Sequence, residues 1–292
     1  MGKLLNGIYP ALLTPFDKSG KFKKKALRQL VEMNIKKGVS GFYVCGSTAE
    51  AFFLSADERK EILETVAEQN NGRVQLLAHI GHIDTLTAID LAKHASTMGV
   101  TAISSVSPFY YNFSFDEIRG YYFDIADACD KPMIVYNFPA FAKVNLTEEN
   151  IACFFDDPRF VALKHTSSDF FLLERLAKRY PDRSFMNGYD EMFLCGLASG
   201  ADGAIGSTFN VMAEKFIAIQ KAYHTGNFVE AQREQQKANN IIAAMVKVGV
   251  MSAEKALLNT LGLDFGIARK PFKALTSDQI SMLESVYREN IG

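Results

Sequence analysis

Tryptophan is absent, and the four cysteines, Cys45, Cys129, Cys153 and Cys195, stand far apart with no CxxC pair. That spacing supports neither a disulfide framework nor a zinc knuckle. An excess of one charge is missing too: 32 lysines and arginines face 33 aspartates and glutamates, for a net charge of −1. Such a balance leaves no electrostatic footprint for nucleic acid, and the short basic run Lys21, Lys23, Lys24, Lys25 reads as a solvated helix start. No segment approaches the roughly 18 uninterrupted apolar residues of a membrane span. The first residues lack the basic, apolar and small-residue order of a signal peptide. Neither GxGxxG after the first strand nor GxxxxGK[ST] occurs, so no nucleotide-binding fold is signalled. His79 and His82 are close in sequence but have no third ligand at a suitable spacing, and no metal is expected. A cytoplasmic enzyme without membrane or nucleic-acid partners is the expectation that remains.

What is present is a regular alternation. Of the 292 residues, 48% are hydrophobic, enough for one large domain or two small ones. Short apolar runs recur at Gly7–Leu13, Gly41–Val44, Val74–His79, Ala102–Val106, Met133–Tyr136, Val161–Lys164, Arg183–Met186 and Gly203–Ile205. Runs of this kind read as strands buried on both faces. Helix signals lie between them. Ser55 and Glu58 form a capping box, Asp84, Ser114 and Thr147 precede amphipathic runs, and Gly38, Gly99 and Gly226 stand where helices should stop. Eight strands alternating with helices predict an α/β fold, a closed (β/α)8 TIM barrel, over residues 1–226; an open doubly wound sheet is the alternative. Residues 227–292 read as a C-terminal helical extension (Val229–Val248, Ala253–Leu261, Ser277–Glu289) packed on the barrel within the same domain.

In such a barrel the chemistry lies at the C-terminal ends of the strands. Five ends carry polar groups: Gly46-Ser47-Thr48-Ala49-Glu50, Tyr136-Asn137, Lys164-His165-Thr166, Asn187-Gly188-Tyr189-Asp190-Glu191 and Gly206-Ser207-Thr208. Lys164 follows Val161-Ala162-Leu163, so its amine emerges from apolar surroundings. Desolvation there favours the neutral, nucleophilic form, although an ion-paired barrel lysine fits the same position. Tyr136 is either a proton relay or a buried tyrosine. Ser47 and Thr48 follow a glycine at a turn whose free N–H groups suit a carboxylate. Asp190 and Glu191 are an acid/base pair, a metal site, acceptors for sugar hydroxyls, or the acidic first turn of a helix.

Taken in order, Gly46–Glu50, Tyr136-Asn137-Phe138-Pro139-Ala140, Lys164-His165-Thr166, Gly188–Glu191 and Gly203–Asn210 resemble the motifs of the N-acetylneuraminate lyases. These belong to the pyruvate-dependent class I aldolases that include dihydrodipicolinate synthase. The resemblance runs from Gly7 to about Pro271. It implies reversible aldol cleavage of N-acetylneuraminate to N-acetylmannosamine and pyruvate, with no cofactor beyond a covalent Schiff base on Lys164. It further implies that Tyr136 positions the carboxylate and assists the proton transfer at the C4 hydroxyl, that Ser47 and Thr48 bind the carboxylate, and that Thr166, Gly188, Asp190, Glu191 and Ser207 hold the sugar hydroxyls. Tyr110, of the pair Tyr110-Tyr111, would complete the relay from a neighbouring subunit of a homotetramer. Dihydrodipicolinate synthases carry an arginine shortly after the tyrosine, where this chain has Phe138-Pro139-Ala140-Phe141-Ala142. The alternatives are an aldolase for another 2-keto-3-deoxy sugar acid and a non-catalytic sialic-acid-binding barrel. Ala49 stands where the family usually has glycine, and would be strained if the backbone there needed φ > 0.

Overall fold

A computed structural model describes residues 3–144 and 146–292. Its eight strands are β1 (Gly7–Pro10), β2 (Gly41–Val44), β3 (Gln75–His79), β4 (Ala102–Val106), β5 (Met133–Asn137), β6 (Phe160–His165), β7 (Ser184–Asn187) and β8 (Gly203–Gly206). Each pairs in parallel with the next from β2 to β8, and β8 returns to β1. The remaining seam is joined by Ser40 N–H donating to Ile8 O and Leu12 N–H to Tyr43 O, both at 2.9 Å. The sheet is therefore a barrel, and the expected TIM fold is borne out.

The helices are α1 (Lys24–Lys37), α2 (Ala56–Asn70), α3 (Thr85–Ser96), α4 (Phe115–Asp127), α5 (Pro139–Ala142), α6 (Glu148–Phe155), α7 (Phe170–Arg179), α8 (Phe193–Ala198) and α9 (Phe209–His224), followed by α10 (Phe228–Val248), α11 (Val250–Thr260) and α12 (Ser277–Ile291). Their starts are locally encoded. Ser55, Ser114 and Thr147 each accept from a backbone N–H three residues on while the side chain there bonds back, and Asp84 accepts from Thr87 N–H. Each cap satisfies N–H groups that a helix start leaves without partners. The basic run opens α1, with Lys23 paired to Asp264 and Lys24 to Glu61.

Two apolar layers result. One lies between the sheet and the helices and gathers, among others, Val44, Val135, Leu163 and Phe185. The other fills the barrel with alternate strand residues: Tyr9, Tyr43, Leu77, Ala102, Ile134, Ala162, Met186 and Ile205. Because side chains alternate with period two, the residues two further on also point inward. On β3, β5 and β6 these are His79, Tyr136 and Lys164. The barrel's own geometry thus lifts a lysine and a tyrosine onto the top of its core.

The last three helices pack against the barrel through polar as well as apolar contacts. Lys215 on α9 donates to Glu234 on α10 at 2.9 Å with both side chains at least nine-tenths buried. The Tyr287 hydroxyl on α12 donates to Val211 O at 2.9 Å.

Candidate active site

Lys164 and Tyr136 are direct partners in the β5–β6 ladder, which sets their side chains beside each other on one rim. The Lys164 amine lies 4.1 Å from the centre of the Tyr136 ring and 4.3 Å from that of Tyr43. Only 5% of the residue is exposed. Burial pushes its pKa down to about 7, partly countered by the charge of Asp190. A large share of the amine is therefore neutral near pH 7 and able to attack a carbonyl. The ion-paired reading of this lysine fails, because no carboxylate salt bridge to it occurs among the described residues.

Tyr136 is also buried, and its pKa is raised to about 12, chiefly by desolvation. The Thr166 and Ser47 hydroxyls approach its phenol closely enough to lower that value somewhat. Neither hydroxyl oxygen makes a regular hydrogen bond within the described chain, although both are buried. Their bonding capacity is unspent, and it faces the lysine's neighbour.

Ser47 and Thr48 open a short 3₁₀ turn, Ser47–Ala49, directly after β2. The turn's own bonds run from the N–H groups of Ala49 and Glu50, so it does not consume those of Ser47 and Thr48. The condition for strain at Ala49 is not met. The left-handed positions are Cys45 and Glu50, at φ 61° and 59°, and not Ala49. Alanine is accommodated, and its carbonyl accepts the Thr14 hydroxyl at 2.9 Å.

At the far side of the rim, two glycines are needed for close approach. A Cβ on Gly188 would fall 1.9 Å from Thr166 Oγ1, and one on Gly206 2.0 Å from Asp190 Oδ1. Asp190 is buried and accepts from the Thr208 N–H at 2.8 Å and hydroxyl at 2.7 Å. Desolvation raises its pKa to about 6 against those bonds. Asp190 and Glu191 therefore diverge. Asp190 ties the β7 end to the β8 end, while Glu191 is exposed, with its carbonyl held by Asn239.

Tyr110 does not join this group. It is 76% exposed, stands edge-on to Tyr111, and adopts φ 83°, a strained value for a tyrosine. The two histidines are spoken for as well. His79 sits between Cys45 O and the Val106 N–H, and His82 accepts from the Asp84 N–H. No cluster of three or more metal-ligating side chains occurs among the described residues.

A model of the Dihydrodipicolinate synthetase family matches residues 4–289. The chain belongs to that family. Within it, the curated relatives that match include the N-acetylneuraminate lyase of Rhizobium meliloti (strain 1021), 43% identical and covering 96% of this chain and 93% of its own. The N-acetylneuraminate lyase of Enterobacter sp. (strain 638) is 42% identical, with coverage of 99% and 98%. Among solved structures, CdNal from Clostridium difficile in complex with mannosamine superposes with a TM-score of 0.96 at 37% identity, covering 98% of this chain and 99% of its own. N-acetylneuraminate lyase from Fusobacterium nucleatum complexed with pyruvate gives 0.94 at 33% identity, with coverage of 99% and 98%. The resemblance read from the motifs is thus borne out over nearly the whole length.

Several residues around this family member's rim take a part that no motif assigned them. Tyr43 was visible in principle, being the inward position of β2 beside the lysine's layer. Glu50 closes the Ser47 turn, buried, with Lys255 at 2.5 Å and the Arg269 N–H at 2.7 Å. Glu254, next to Lys255, is fully buried as well. The one sequence signal for these last two is a pair of charges set among the buried Ala253, Leu257 and Leu258 of α11.

Proposed function

We propose that the chain catalyses the reversible aldol cleavage of N-acetylneuraminate to N-acetylmannosamine and pyruvate. The observation that carries this is the buried Lys164 amine, held near neutrality between two tyrosine rings. In the cleavage direction the amine attacks C2 of the open-chain substrate, and loss of water gives the imine. Tyr136, a neutral phenol near pH 7, relays the proton of the C4 hydroxyl as the C3–C4 bond breaks, taking it up while passing its own proton to the substrate carboxylate beside it, from which C3 is later protonated. The C4 carbonyl forms, and the bond's electron pair passes into the imine as an enamine. Protonation at C3 and hydrolysis release pyruvate and return the free amine. Apart from the covalent imine, the reading needs no cofactor and no metal.

Ser47 and Thr48 would bind the carboxylate, the turn supplying N–H groups that its own bonds leave free. Thr166, Gly188, Asp190, Glu191 and Ser207 would hold the sugar. Where the synthases carry arginine, Tyr136, Phe138, Phe141 and Phe52 stack in sequence, with centroids 5.8, 5.7 and 5.9 Å apart. An apolar wall has nothing to offer a second carboxylate, which favours a polyhydroxylated aldehyde as the partner of pyruvate.

Tyr110 belongs, in this reading, to a neighbouring protomer's relay within a homotetramer. Its exposure and strained backbone support that role, since such conformations persist where function requires them. Residence in the cytoplasm completes the proposal. Borohydride reduction in the presence of pyruvate tests the centre of it: an adduct of about 72 Da on Lys164 with loss of activity is expected. An unmodified Lys164 after full inactivation would sink the mechanism.

A further inference from the structure

Glu254 is buried to 0% exposure, and neither of its carboxyl oxygens makes a regular hydrogen bond in the described chain, although the Ser207 hydroxyl comes close enough to act on it. An uncompensated buried carboxylate is costly, and such a group stays neutral instead. Its polar surroundings come from three elements. The Ser207 hydroxyl approaches from beyond β8, Asp190 from beyond β7, and Lys255 stands beside it on α11. Lys255 is already committed to Glu50. Asp190 holds two bonds from Thr208 that favour its ionised form. Of Asp190 and Glu254, the latter is the one that carries the proton.

We propose that Glu254 is a positioning residue that sets which way the Ser207 hydroxyl points, and so tunes affinity for the sugar half of the substrate. A protonated Glu254 donates to Ser207 Oγ and turns the serine's own O–H toward the pocket, where it donates to a sugar oxygen. An ionised Glu254 reverses the pair. Ser207 then donates inward, and a second negative charge stands beside Asp190. Desolvation raises the Glu254 pKa to about 8, the nearby Asp190 charge adding to the rise and Ser207 and Lys255 opposing it. The reversal therefore falls above neutral pH. This inference rests on the aldolase reading above, and it concerns only the aldehyde partner.

Condensation of pyruvate with N-acetylmannosamine, followed from pH 6.5 to 9.5, gives a KM for each substrate. In the natural chain the sugar KM should rise about tenfold between pH 7 and pH 9, as the competent fraction falls; the pyruvate KM should not follow that limb. Glu254→Gln donates at every pH, so it should keep the neutral-pH sugar KM and lose the alkaline rise. Glu254→Leu should raise the sugar KM throughout. An unchanged alkaline rise in Glu254→Gln, or equal shifts in both KM values, overturns the proposal. If Glu254→Leu does not fold, the natural chain's profile and the glutamine variant still decide. A pyruvate adduct on Lys164 with a flat sugar profile refutes the role of Glu254 alone, whereas no adduct refutes the reading beneath it.

Discussion

The ammonium of Lys255 lies 2.5 Å from Glu50 Oε1, although 205 residues separate them in the chain. Both side chains are essentially inaccessible to water. The other Glu50 oxygen takes the Arg269 N–H, and the Arg269 side chain reaches on to Phe53 O and Gly20 O at 2.7 Å each. The turn that presents Ser47 and Thr48 is thus clamped from the last quarter of the sequence. Lys255→Met should strand the Glu50 charge and destabilise the chain by about 3–5 kcal/mol. Urea unfolding measures the loss, and Lys255→Met with Glu50→Gln should recover part of it. The pyruvate KM should rise more than the sugar KM in either single variant; equal rises would mean that the clamp does not act on the carboxylate turn.

The pH dependence of Schiff-base formation follows from Lys164. In the proposed mechanism its neutral form is the nucleophile, and its folded pKa is depressed to about 7. The rate should therefore fall about tenfold per unit as pH drops well below 7, and level off above it. Stability runs in parallel. The unfolded amine titrates near 10.4, so the unfolded chain binds more protons between the two values, and stability declines as pH falls from about 10 to 7. Lys164→Met removes that burden and should raise stability on the order of 2 kcal/mol at pH 7 while abolishing turnover. A variant no more stable than the natural chain would contradict the desolvation account.

Whether Tyr110 serves a neighbour is open to a complementation test. Chains carrying Tyr110→Phe and chains carrying Lys164→Ala should each be nearly inactive. Mixed and allowed to exchange protomers, they should regain activity, because some sites then combine Lys164 of one chain with Tyr110 of the other. No recovery, in assemblies shown by mass to be mixed, would place Tyr110 outside the relay. Light scattering should give about four times the chain mass of 32.4 kDa.

Gly188→Ala probes the sugar side without touching the lysine. The added methyl meets Thr166 Oγ1 at 1.9 Å, a clash that a short side chain relieves only by moving. A stability loss of about 1–3 kcal/mol is expected, with a larger rise in the KM for N-acetylmannosamine than for pyruvate. Unchanged kinetics would show that the Thr166 position is not critical for the sugar.

The barrel and tail are proposed to fold as one unit. A chain ending at Gly226 loses the partners of Lys215, Glu50 and Val211 O, and should show neither near-ultraviolet dichroism nor pyruvate binding. The full chain should unfold in one transition seen alike by different probes. Two separated transitions would argue for independent units.

The strands were legible because a parallel barrel buries both faces of each one, leaving continuous apolar runs that sequence displays directly. The site's place was legible for the same reason: polar residues at the end of such runs are conspicuous. Lys164 and Tyr136 stood out on those grounds. The pairing of Glu50 with Lys255, and Glu254 beside it, did not, because a buried ion pair between distant segments has no local period or motif. Nor could sequence separate Asp190 from Glu191; one turn of chain direction buries the first and exposes the second. Whether Ala49 would be strained turned on its backbone, and the left-handed residues fall instead at Cys45 and Glu50, on either side of the turn.

The pairing of Tyr136 with Lys164 across neighbouring strands has a consequence for how such a protein can change. Their separation is fixed by the sheet's backbone ladder, whose strand spacing of about 4.8 Å no side-chain replacement alters. The groups proposed to face the sugar, by contrast, hang on turns joined by side-chain bonds such as Thr208 to Asp190. On the proposed mechanism, substitutions there reshape the aldehyde pocket while the pair proposed to break the bond stays in register, so new substrates are reachable in single steps without rebuilding the chemistry.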